Sequence, residues 1–350
     1  MKCRSLLFLV SAIGSCFTLT PKGEENPAPF AGKSNLTVLV FGASWSHGII
    51  KDFPLIAAAA GKKVEVRCLR AAGFKKYWEA VQMADTSPED PKSWVALETD
   101  YKARVRIKDE LLSKSWDVIA LQRHSLSDKD SNEAAETARQ LIAYIRQQSP
   151  QAKLVIYQTH AYRGDSDLLQ QVVPKGWDSS RPFTSQDSLE VTRSICQRVA
   201  RENQALLIPV GDAFDRIRRD PVFGWTFPDP AFDYKNPERK GVPATEKNSL
   251  MIGFRWLPPG KTGIDGRIHQ ADDHPNNLGR YLYGLVFFES LFGETVIGNT
   301  YFPNGPTLKP QLEGAVLEIR ADKVVTPERI SFLQKAAHET VQGGRNPKGD

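Results

Sequence analysis

The feature of this 350-residue sequence that most constrains its fold is a repeated alternation. Short apolar, β-favouring runs, each ending in glycine or polar residues, are separated by stretches with helical spacing. The first run, Thr37 to Phe41, passes at once through Gly42, Ala43 and Ser44 into a helix-compatible segment. That is how a buried strand ends in a tight turn into a helix. Four more runs follow the same pattern: Lys63 to Leu69, Trp116 to Leu121, Lys153 to Tyr157 and Ala205 to Val210. Helical stretches are expected at about Ile49 to Ala60, around Tyr77, Trp78 and Val81, at about Thr99 to Ser113, and at Asn132 to Gln148 and Ser185 to Asn203. Buried strands joined by helices predict an α/β fold, a parallel sheet of about five strands with helices on both faces.

In such sheets ligands bind beyond the carboxyl ends of the strands. Ser44 stands at that place after the first strand, where N–H groups of a helix start can receive a developing anion. Its plainer role, shared with Ser46, is a helix N-cap. The third run ends in Gln122, Arg123 and His124, and the fourth in Gln158, Thr159 and His160, so polar groups gather at one sheet edge. Far downstream, Asp272, Asp273 and His274 immediately precede a helix at about Leu278 to Phe292, closed by Gly293. Two carboxylates beside an imidazole suit acid–base chemistry, and equally an Asp- and Asn-rich helix entry. A metal site of His269, Asp272 and His274 is a further alternative.

The formal charge of +5 is small for the length, and Lys and Arg are scattered, so no nucleic-acid surface is indicated. No GxGxxG follows the first strand, which argues against a dinucleotide site. Lys2 and Arg4 ahead of the apolar run Leu6 to Ile13 read as an export signal over residues 1–20. Ile13-Gly14-Ser15-Cys16 is similar to a bacterial lipobox, so the expected destination is periplasmic, secreted, or tethered to a membrane through a lipidated Cys16. Residues 21–34, polar with Pro and Gly, read as a flexible tether. Cys68 and Cys196 are expected as two separate buried thiols. The segment 220–270 is a long insertion rich in aromatics, which pack a small core or, at Trp225 and Trp256, stack on sugar rings. Residues 35–295 form the main domain. Residues 296–350 form a C-terminal extension whose last helix starts at Thr326-Pro327 and docks through Ile330, Leu333, Ala337 and Val341.

Between Asn35 and Gly293 the chain resembles the SGNH hydrolases of GDSL type, serine esterases and lipases on a flavodoxin-like α/β/α fold. Gly42-Ala43-Ser44 is similar to the family's first motif, although Ala43 stands where an acidic or amide residue is usual. The resemblance implies Ser44 as nucleophile, with its own N–H, the N–H of Gly73 and the side-chain amide of Gln122 forming the oxyanion hole. His274-Pro275 matches the end of the Asp-x-x-His motif, but three residues before His274 stands Ala271. Asp272 is the carboxylate expected to orient His274. No metal or organic cofactor is implied. The expected activity is hydrolysis of an acyl ester, acetyl on a carbohydrate being one candidate. The alternatives are a catalytically weak surface glycan-binding protein and a metal-dependent hydrolase around His269 and His274.

Overall fold

The computed structural model describes residues 28–235, 242–256, 268–303 and 325–345. The chain opens with β1 (Asn35–Gly42), a single 3-10 turn at Ser44–Ser46, and α1 (His47–Ala59). It returns as β2 (Lys63–Arg70) and α2 (Gly73–Thr86). Two short strands follow, β3 (Val95–Leu97) and β4 (Asp100–Val105), then α3 (Ile107–Leu112) and β5 (Val118–Gln122). The second half runs through α4 (Ser131–Gln148), β6 (Lys153–Tyr157), α5 (Ser185–Glu202), β7 (Leu206–Ile208) and α6 (Val210–Arg218). A two-stranded antiparallel ribbon, β8 (Met251–Trp256) and β9 (Ile268–Pro275), leads into α7 (Asn277–Phe292), and α8 (Pro327–Arg345) follows.

The main sheet has the order β4-β3-β2-β1-β5-β6-β7. Strands β2, β1, β5, β6 and β7 are mutually parallel. Taken in chain order they read 2-1-3-4-5, the flavodoxin-like arrangement, with β1 at the centre of the switch. The helices divide into two layers. On one face Val38 and Val40 of β1 pack under α1, α6, α7 and α8; on the other Leu39 and Phe41 pack under α2, α3, α4 and α5. Alternate residues of one strand thus feed both cores, as the pleat requires.

Three expectations change. The helix foreseen at Thr99 to Ser113 is instead strand β4 followed by the short α3, and β3 and β4 extend the sheet beyond the expected five strands as an antiparallel edge. The last part of the expected tether, residues 28–34, lies against the fold: Phe30 N–H donates to Leu291 O at 3.0 Å and its ring packs on the core. The histidine-bearing segment, read as a helix entry, is mostly strand β9. Residues 1–27, with the export signal, Cys16 and most of the tether, lie outside the described residues. Helix α8 buries Ile330, Leu333, Ala337 and Val341 against the main domain. Cys68 and Cys196 are separate buried thiols.

Candidate active site

Ser44 follows the central strand β1, in which Val38 to Phe41 are fully buried. Neither Ser44 nor Ser46 caps α1 with its side chain. The turn is fixed from below by Gln122. Its Oε1 accepts from Ala43 N–H at 3.1 Å, Ser46 Oγ at 2.9 Å and the Tyr157 hydroxyl at 3.0 Å. Ser46 also meets Tyr157 at 2.8 Å, entirely out of solvent. Gln122, for which the family resemblance implies a place in an oxyanion hole, is therefore first a brace for the Ser44 turn. With its oxygen tied down, its amide nitrogen takes no acceptor among the described residues.

His274 Nε2 lies 2.7 Å from Ser44 Oγ, and His274 Nδ1 lies 2.7 Å from Asp272 Oδ1. A carboxylate oxygen only accepts, so Nδ1 carries the proton and Nε2 presents its lone pair to the serine hydroxyl. The two-residue offset follows from the backbone. In an extended strand residues i and i+2 share a face, so Asp272 reaches His274 while Asp273, between them, points to the other side. Asp272 Oδ1 also accepts the His274 N–H at 3.0 Å, which ties carboxylate and imidazole to one stretch of backbone. The His274 side chain is 44% exposed and Asp272 only 12%, so the imidazole faces solvent and the carboxylate is sheltered.

Asp273 is buried among donors. Its carboxylate accepts from Arg163 N–H at 2.7 Å and Ser166 Oγ at 2.5 Å. Burial pushes its carboxyl up to about 6 despite those donors. The loop it grips is itself pinned. The Arg163 guanidinium pairs with Asp165 at 2.9 Å and Glu246 at 2.8 Å, and lies over the Phe227 ring at 3.6 Å. Sequence reasoning passed over this network, because Arg163, Ser166 and Glu246 stand in segments without periodicity.

Gly73 opens α2 with φ +81, and a Cβ there would sit 2.1 Å from Asp128 Oδ2, so only glycine fits. The Asp128 carboxylate accepts from Phe74 N–H at 3.1 Å, Lys75 N–H at 3.3 Å and His124 N–H at 2.9 Å. One carboxylate thereby joins the first turn of α2, which follows β2, to the loop after β5. These strands flank β1 without touching each other, so their loops meet across its end, where Ser44 stands. His124 lies against Gly73, and its buried Nδ1 has no hydrogen-bond partner among the described residues. Burial and the neighbouring Arg123 hold its imidazole down at about 4, uncharged near neutrality.

Trp225 does not line an open sugar platform. It is 4% exposed, part of the core under α6 and α7, and forms one wall of a recess shared with His160, Phe214 and Arg218. Trp256 ends β8, but its side chain lies outside the described residues, as does that of His269. Among the described residues no three His, Cys, Asp or Glu side chains converge as metal ligands. Both ring nitrogens of His274 are already committed, to Ser44 and Asp272.

No protein-family model matches the chain, and no curated sequence relative matches it. Among solved structures, the chain is similar to a DUF4886 family protein from Bacteroides uniformis, with 16% identity over 89% of this chain and 96% of that one, and a TM-score of 0.57. Fainter likenesses are to a protein assigned as a GDSL-like lipase in Parabacteroides merdae, at 12% identity over 76% and 99% of the two chains with a TM-score of 0.39, and to an acetyl-xylooligosaccharide esterase from Geobacillus, at 10% over 75% and 96% with a TM-score of 0.34. What the chain shares with the first of these, at such identity, is the fold alone, an α/β/α arrangement around a mostly parallel sheet.

Proposed function

We propose that this chain is a serine esterase in which Ser44 is the nucleophile, His274 the general base and acid, and Asp272 the group that orients His274. The observation that carries this reading is the unbroken relay Ser44 Oγ to His274 Nε2 to Asp272, with both contacts at 2.7 Å. Ser44 Oγ attacks the ester carbonyl carbon as its proton passes to His274 Nε2. The carbonyl π pair moves onto oxygen, which the N–H groups of Ser44 and Gly73 and the Gln122 amide nitrogen receive. His274 then returns the proton to the leaving alcohol. A water deprotonated by the same imidazole splits the acyl-enzyme, releasing the acid and restoring Ser44.

The substrate we propose is an acyl ester, acetyl on a carbohydrate, met outside the cytoplasm. Its supports are the signal-like N-terminus and the aromatic-rich 220–270 segment. That second support is narrower than the sequence suggested, because Trp225 is packed and Phe223 stacks on Phe332 at 4.6 Å. A membrane tether through lipidated Cys16 belongs to the same proposal.

The test is hydrolysis of p-nitrophenyl acetate by the full chain and by Ser44→Ala, with and without a chelator. The expected result is chelator-indifferent turnover that falls about 10⁴-fold or more in the variant. Equal activity of both proteins would remove Ser44 from the mechanism. Chelator-sensitive turnover would favour the metal-dependent alternative. Glycan binding without turnover or fluorophosphonate labelling of Ser44 would favour the binding-protein reading.

A further inference from the structure

Two routes join Ser44 to His274. One is their hydrogen bond. The other passes beneath it through His160, a residue 1% exposed in the segment just after β6. The His160 ring stacks on the indole of Trp45, the residue after Ser44, with centroids 4.2 Å apart and planes at 25°. Its Nε2 lies 2.7 Å from the backbone oxygen of Asp273, the residue before His274. A carbonyl oxygen only accepts, so the His160 proton resides on Nε2. Nδ1 is then a lone pair, and the Tyr283 hydroxyl at 3.0 Å must donate to it. The ring's other face stacks on Phe214 at 4.6 Å and 18°. Both nitrogens and both faces are thus occupied, and the ring has no alternative orientation that keeps these contacts.

We propose that His160 is a positioning residue for catalysis: by bridging Trp45 and the Asp273 carbonyl, it sets the spacing between the serine-bearing turn and the histidine-bearing strand. This rests on the serine-esterase reading above. No proton changes hands at His160; the serine proton moves only to His274 and from there to the leaving alcohol. Burial keeps the His160 imidazole down at about 3, so it is neutral near neutral pH. The distinction from ordinary core packing lies in what the ring connects. A packing residue in this position would stabilise the fold, whereas a bridge between the chain neighbours of nucleophile and base also governs their contact. Displacements of about 1 Å between reacting groups can cost about 100-fold in rate.

Two substitutions separate the ring's functions. His160→Phe keeps volume and stacking but removes the N–H to Asp273; His160→Gln keeps an N–H near the Nε2 position and removes the stacking. Each is compared with the wild type by kcat and KM on p-nitrophenyl acetate, by the rate of fluorophosphonate labelling of Ser44, and by thermal melting. For His160→Phe we expect kcat and the labelling rate to fall together by about 10- to 100-fold with KM within about twofold, and His160→Gln to recover part of the loss. A folded His160→Phe with kcat within about threefold of wild type overturns the proposal, as does a His160→Gln no more active than His160→Phe. If His160→Phe does not fold, Tyr283→Phe decides, since it leaves the ring and its stacks in place and removes only the O–H that holds the proton on Nε2. A fall in kcat of about threefold or more supports the bridge, and a smaller one overturns it. A wild-type protein that neither turns over ester nor labels defeats the esterase reading itself, a result distinct from all of these.

Discussion

The proposed nucleophile and the proposed base are held by opposite means. Ser44 ends a strand buried on both faces and paired along its length with β2 and along its middle with β5. His274 sits on a two-stranded ribbon whose register is interrupted twice, between Met251 and Gly253 and between Gly253 and Arg255. What steadies β9 is a set of buried polar contacts: Asp273 to Arg163 and Ser166, His160 to the Asp273 carbonyl, and Arg163 to Glu246. The strand that leads to the serine is therefore held by many small apolar contacts, with the Gln122 brace fixing the turn after it. That of the histidine depends on a few directional ones. Substitutions on the sheet side should cost stability, and substitutions on the ribbon side should cost rate.

Asp272→Asn should give the largest effect. An amide in place of the carboxylate no longer fixes the tautomer of His274, and kcat should drop by about 10³- to 10⁴-fold with little change in KM or melting temperature. A loss below tenfold would mean that the backbone alone orients the ring. On the sheet side, Phe53→Ala in α1 removes a fully buried ring packed on Phe287 and Phe292, and should cost about 3–5 kcal/mol in urea unfolding. The kcat of the remaining folded protein should stay within about twofold. A large rate loss there would break the contrast between the two sides.

The smallest effect concerns pH. The Asp273 carboxyl, raised from 3.8 to about 6, binds its proton more readily folded than unfolded. Its contribution to stability is full below about pH 4 and is lost as pH climbs through about 6, on the order of 3 kcal/mol for a shift of this size. Asp273→Asn should remove that contribution, so the stability difference between variant and wild type should change over this window and level off above it. Urea unfolding at pH 4, 5, 6 and 7 measures it. A constant difference would mean that the Asp273 carboxyl does not titrate there.

The parallel strands were legible because burial on both faces demands contiguous apolar residues, as in Val-Ile-Ala-Leu of β5. β4, read as helix, is the short charged edge Asp-Tyr-Lys-Ala-Arg-Val, where solvent faces one side and the pattern carries little information. β9 is less legible still: Ile-His-Gln-Ala-Asp-Asp-His-Pro has no β pattern, and its pairing rests on backbone bonds and on anchors far away in sequence. Ser44, His274 and Asp272 could be singled out because their residue types imply the chemistry. That Asp272 sits two residues from His274 rather than three is explained only once the segment is known to be extended. Gln122 could be found by position, but its brace under the turn depends on Tyr157 and Ser46, which only the fold brings near. His160 was visible as a polar residue at a strand end, with nothing in the sequence to tie it to Asp273.

Every residue of α7, from Asn277 to Phe292, is buried, and Asn276 locks its entrance by accepting from the N–H groups of Leu278 and Gly279 while donating to the carbonyls of Ser249 and Met251. His274 stands three residues before this immobile post. The backbone on the C-terminal side of His274 is therefore fixed, and the imidazole can shift relative to Ser44 only as its own strand shifts against the contacts that hold Asp273.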